Sequence, residues 1–251
     1  MFVLLLVAAL AAIAALLVLL PVRTAATPFV LFVLGLILLT GAVTIWAAGA
    51  SAAYVGRRLT LRAQSPAVLI ASGRLAQDPW ATARTHATLL LVTVVATAFT
   101  GVRGVLLVTL SENGYTPDQL AFYTTGIDLT GAAVLVAAAI SLCGLAVGTA
   151  EQVATRRRGL AAQAAAGVPH RVLAAAMLLE TALPLAPALL LAGAGGSAVH
   201  LAYASVAGTT GAAPFLPLLV PVAVYAACVL AAATSLPLLR RTAHPAELRF
   251  T

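Results

Sequence analysis

Apolar residues run along this chain in long blocks separated by short polar segments. The first two blocks cover roughly Phe2 to Val22 and Pro28 to Ala50. The third runs from about Thr85 to Leu110, the fourth from Ile127 to Thr149, the fifth from Val172 to Tyr203 and the sixth from Phe215 to Leu239. Each reaches the ~20 residues that an α-helix needs to cross a bilayer core. The pattern predicts an all-α, polytopic membrane protein with about six transmembrane helices. The opening block has no basic stretch before it and exceeds the ~7–15 apolar residues of a signal peptide, so it is expected to be a retained helix. The fifth block is long enough to tilt, or to break at Pro184, Pro187 or Gly193–Gly196.

The polar segments carry the remaining organisation. Between Tyr54 and Arg84, Pro66 opens a helix whose apolar residues Val68, Leu69, Ile70 and Leu75 group on one side, which predicts a short amphipathic helix on the membrane surface. Asp78-Pro79-Trp80 then caps and opens the third span. Ser111 to Gly126 holds Glu112 and Asp118 but no arginine, and reads as an extracytoplasmic loop with one or two helical turns. Glu151 to Glu180 is an elbow: Arg156, Arg157 and Arg158 precede a short helix over Leu160–Ala166, Gly167 stops it, and Pro169 opens the next.

Composition confirms the class and narrows the chemistry. The chain is 62% hydrophobic and 8% charged, against roughly 25% charged in soluble domains. Its mean hydropathy is +1.07. The formal net charge of +7 comes from arginine, since the chain has no lysine. These arginines lie mostly in the connections between spans, where the positive-inside rule and anionic lipid headgroups account for them without nucleic acid. The 2–3 and 4–5 connections and the tail are basic, whereas the 3–4 and 5–6 connections carry no arginine. With six spans, that places both termini in the cytoplasm, with Arg23 as the one dissenting charge. Cys143 and Cys228 both fall in apolar blocks and read as packing residues.

No catalytic set, metal cluster or cofactor motif emerges, so the expectation is a protein that is not an enzyme. Ser197 and His200 share a face of the fifth span, yet have no third partner for hydrolase chemistry. Without a GxxxxGK[ST] segment the chain has no P-loop of its own. Three ionisable residues stand within the spans or at their edges. Arg103 lies inside the third, near enough to its outer end to reach the interface or to pair with Asp128. Glu180 lies near the start of the fifth, with Arg171 and the Arg156–Arg158 group as candidate partners.

These residues carry a resemblance. Glu151, Arg156–Arg158, Ala165-Ala166-Gly167, Val168 to Arg171 and Leu178-Leu179-Glu180 follow in the order of the FtsX/MacB-type permease module of ABC transporters. The tail Pro245-Ala246-Glu247-Leu248-Arg249 and the Ser72–Arg84 stretch are similar to that family too. The likeness covers roughly Ser72 to Thr251. It departs from the family at Gly159-Leu160-Ala161, where an acidic residue is common, and in its short segment between spans three and four. The resemblance implies a two-helix segment (1–53), an amphipathic connector (54–84) and a four-helix permease module (85–251). The elbow would then be a coupling surface of Glu151, Arg156, Arg157, Arg158, Gly167, Pro169, His170 and Arg171 for a separate cytoplasmic ATPase that binds the ATP. It further implies a bacterial cell membrane, a second permease chain or a second copy as partner, and a hydrophobic substrate: lipid, peptide or drug. The chain resembles the C-terminal half of a longer permease. An ATP-independent six-span transporter and a non-transporting scaffold stand as alternatives.

Overall fold

The computed structural model describes residues 26–208 and 215–237. The described residues form seven helices: α1 (Ala26–Thr60), α2 (Pro66–Gln77), α3 (Pro79–Glu112), α4 (Pro117–Thr155), α5 (Arg157–Ala165), α6 (His170–Ala207) and α7 (Leu216–Ala233). Five of them carry stretches long and apolar enough to cross a membrane: Val33–Thr60, Ala83–Glu112, Pro117–Thr155, His170–Ala207 and Leu216–Ala233. The chain is an all-α, multi-pass membrane protein. The first block of the sequence, Phe2 to Val22, lies outside the described residues, as do most of the uncharged 205–214 connection and the tail.

The helices outrun the apolar blocks that predict them. At 1.5 Å per residue, the 39 residues of α4 span about 58 Å, well beyond the ~30 Å of a hydrocarbon core. Polarity predicts a loop with one or two helical turns over 111–126, but the helix is more extensive and only residues 113–116 interrupt it. The reason is a capping box. The backbone N–H of Thr116 donates to Gln119 Oε1 at 3.1 Å and the Gln119 N–H approaches Thr116 Oγ1 at 3.5 Å, with Pro117 opening α4. Nor does α6 break. It runs unbroken through Pro184 and Pro187, as membrane helices allow when neighbouring groups satisfy the freed carbonyls.

The chain forms two compact units. Unit 1 draws on residues up to Thr44, Leu89–Ala138 and Leu189–Ala223; unit 2 draws on Ile45–Thr88, Ala139–Ala188 and Val224 onward. In unit 1, α1, α3 and α6 meet through Leu36, Ala98 and Val199, with Val33, Ile37 and Ala202 against them. Missing side chains bring these helices together: Gly195 receives the Thr40 methyl and Gly196 sits under Thr97, the close approach that small residues permit between spans.

In unit 2, α2 packs against α1 by the same device. A Cβ on Gly56 would come within 2.8 Å of the Ala76 nitrogen and 3.1 Å of the Ser72 carbonyl oxygen, both backbone. Ser65 caps α2, its hydroxyl accepting from the Val68 N–H at 3.4 Å. The helix over 66–77 forms as expected, but its buried face differs from the predicted one: Ala71, Ser72 and Leu75 are buried and Leu69 is exposed, because the face is set by close packing on Gly56 of α1. Because backbone cannot yield as a side-chain tip can, Gly56→Ala is expected to cost about 1–3 kcal/mol. Gly73→Ala, in open space on α2, should be neutral or stabilise by up to about 1 kcal/mol. Thermal unfolding of the two variants in one detergent checks this, and equal midpoints would refute the α1–α2 contact.

Candidate functional site

The site is built where α2, α5 and α6 converge within unit 2. The elbow helix α5 buries Leu160 and Ala161. Leu160 joins Val153 of α4 and Leu173 of α6 in one apolar cluster, against which Ile70 of α2, Val168 and Met177 pack. Its end is fixed by a Schellman motif. Gly167 takes φ +88, its N–H donates to the Ala164 carbonyl at 3.0 Å, and the Val168 N–H donates to the Gln163 carbonyl at 3.1 Å. The Pro169 carbonyl then accepts from the Val172 N–H at 2.9 Å as α6 begins. The corner is therefore set by backbone bonds and an apolar pin, with Gly167 at the one position a side chain would strain.

Glu180 sits two to three turns into α6, its side chain 15% exposed, and it is held from two directions. Arg74 of α2 donates from one guanidinium nitrogen to Oε1 at 2.6 Å, and Arg156 donates to Oε2 at 3.0 Å. One carboxylate thus ties the connector helix, the N-cap of the elbow and the long α6. The Arg156 partnership matches one of the two expected from sequence; Arg171 stays exposed and outside the clamp. Arg74, which lies 106 residues from Glu180 in the chain, is the partner that local reasoning does not find. Beside the clamp lies a small cavity of about 70 Å³ of mixed character, lined by Arg74, His86, Gln152, Arg156, Glu180 and Met177 among others.

The rest of the elbow faces outward. Glu151, Arg157, Arg158, Pro169, His170 and Arg171 are all exposed, and among the described residues none of these arginines has a carboxylate within ion-pair distance. Arg156 is spent on Glu180, so the outward basic set is Arg157, Arg158 and Arg171. In unit 1, Arg103 and Asp128 do pair, at 2.9 Å with side chains 43% and 63% exposed. That pair belongs to the α3–α4 contact of unit 1, alongside Phe99 against Gly131. Among the described residues, no group of three His, Cys, Asp or Glu side chains is placed to hold a metal ion.

Comparison with family models, with curated proteins and with solved structures finds no match to this chain. The chemistry of the site therefore rests on its own geometry. That geometry is a rigid corner whose outward face is cationic and whose inward face is locked to a membrane-length helix.

The two halves of the clamp should differ in strength. Arg74 is the less exposed arginine, 22% against 43%, so its bond to Glu180 is less screened. A double-mutant cycle on unfolding, with Glu180→Gln, Arg74→Ala and Arg156→Ala, is expected to give about 1–3 kcal/mol of coupling for Glu180–Arg74. For Glu180–Arg156 it should give about 0.2–1 kcal/mol. Equal couplings, or none, would contradict the reading of Arg74 as the principal partner.

Proposed function

We propose that this chain is the membrane-spanning permease subunit of an ABC-type transporter. In this reading it couples ATP hydrolysis by a separate cytoplasmic ATPase to the export or extraction of a hydrophobic substrate such as a lipid, peptide or drug. The observation that carries the reading is the elbow. Arg157, Arg158 and Arg171 project from a corner whose other face is pinned by Leu160 and whose N-cap residue, Arg156, is bound to Glu180 of α6.

A corner of this kind suits a transmitted push. Forked guanidinium groups reach acidic partners with directional hydrogen bonds. A load applied at the exposed arginines passes to α6 through the Arg156–Glu180 bond and to α2 through Arg74–Glu180. Rigid attachment is what lets closure of an ATPase dimer tilt a span instead of bending a loop. The elbow would then face the cytoplasm of a bacterial cell, and both termini would lie on that side. Among the described residues, the most apolar stretch of α4 is only 6% buried, against 22–39% for the other four spans. That uncovered helix leaves a face for a second permease chain or a second copy, with membrane lipid covering the remainder.

The test is purification of the tagged chain from its native membrane in mild detergent, with identification of what accompanies it. A stoichiometric P-loop ATPase is expected. In the Arg157→Glu/Arg158→Glu/Arg171→Glu variant, recovery of that ATPase should drop by roughly tenfold or more while membrane insertion is unchanged. A chain that emerges alone, or an association indifferent to charge reversal, would overturn the coupling role and favour an ATP-independent transporter or a scaffold.

A further inference from the structure

Unit 1 holds a second polar feature, one the elbow does not use. His200 of α6 is 5% exposed, and Thr97 of α3 is fully buried. The two helices run in the same direction and in register there. Thr97 rests on Gly196, and one turn further along both helices the His200 ring rests on Gly101, so closely that a Cβ on Gly101 would overlap it. Each helix thus supplies one bulky residue and one missing side chain. Tight packing alone requires only that volumes match, which an apolar residue at 200 would meet. Instead, His200 Nε2, Thr97 Oγ1 and Ser197 Oγ are all buried there without a hydrogen-bond partner among the described residues. Three such atoms in one seam are costly, and a buried polar group that is kept calls for a reason.

We propose that His200 is a proton-binding site in unit 1, whose occupancy controls the α3–α6 contact. Imidazole is the side chain whose charge ordinarily changes near neutral pH, and an ionisable group inside a membrane span marks a functional site by default. A proton taken up by the ring adds one positive charge to the seam. No carboxylate lies within ion-pair distance of His200 among the described residues. On α3 the charged residues of this unit are Arg103, committed to Asp128 of α4, and Glu112 at the helix end. On α6 the other titratable side chain is Tyr203. The parts of α1 and α7 that pack on α6, through Leu36, Thr40 and Pro221, contain none. An imidazolium pressed against Gly101 without a counter-charge is penalised by its buried surroundings. Charging the ring therefore favours separation of α3 from α6, and acid loosens the seam.

The site is independent of the ATPase reading, and its test needs no partner. The full chain in lipid nanodiscs is compared at about pH 7.5 and about pH 5, either side of the ordinary imidazole pKa near 6.5. The readout is amide hydrogen exchange over residues 94–104 and 193–203, corrected for intrinsic rates. Wild-type protein is expected to exchange roughly tenfold faster at the acid pH, and His200→Gln, which keeps a polar side chain of similar size, should abolish that difference. His200→Leu should abolish it as well and guards against a folding defect in either variant. Identical exchange at both pH values in the wild type, or an acid response that survives in both variants, would overturn the proposal and leave a structural histidine only.

Discussion

The carboxylate of Glu180 is the constraint on which the organisation of unit 2 depends. A single acid accepting from two arginines satisfies both its oxygens and leaves the cluster with one net positive charge. Its 15% exposure means that the bonds act in a partly dry setting, where charge-assisted hydrogen bonds are strong and an abandoned partner is costly. Glu180 belongs to α6, Arg74 to α2 and Arg156 to the start of α5, so one residue fixes three segments that local sequence would leave to swing separately. The apolar pin of Leu160 on Val153 and Leu173 gives the contact area; the carboxylate gives it direction.

The two units achieve rigidity by different chemistry. In unit 1 the helices approach through absent side chains, Gly195 under Thr40, Gly196 under Thr97 and Gly101 under His200. Between membrane spans the apolar surroundings give no hydrophobic drive, so close van der Waals contact has to carry association. In unit 2 the close approach at Gly56 is joined by an ion cluster and a short apolar core, which fix the elbow. The difference has a dynamic consequence. A glycine seam holds or opens as packing allows, whereas an ion cluster resists a change in direction, which suits the corner to the coupling role proposed for it.

What the sequence made legible was local. Runs of apolar residues were enough for the five spans among the described residues, and Gly167 followed by Pro169 marked the corner because each acts through its own backbone. Pro66 likewise announced the start of α2. In the polar stretch 111–126 the pattern of polarity allowed one or two helical turns but not the full extent of the helix, because its side chains are hydrophilic while its backbone is helical. The Thr116–Gln119 capping box, three residues apart, was the signal that bore on it. Pro184 and Pro187 suggested a break that the helix does not make, since the satisfaction of their freed carbonyls depends on neighbours that a linear pattern does not contain. Arg74 escaped for the same reason: nothing within a turn or two of Glu180 points to a residue 106 positions away. Arg103 and Asp128, 25 apart, were within reach of reasoning because both stand near the same end of consecutive spans.

The most direct test of the account is amide hydrogen exchange across the elbow, residues 157–168, and across α2, residues 66–77, in wild-type protein and in Glu180→Gln. If the carboxylate holds both segments to α6, its neutralisation should raise exchange in the two by roughly tenfold together, while residues 94–104 of unit 1 stay protected. Unchanged protection in the elbow and in α2 would mean that apolar packing alone holds the corner, and the clamp would lose its place in the mechanism.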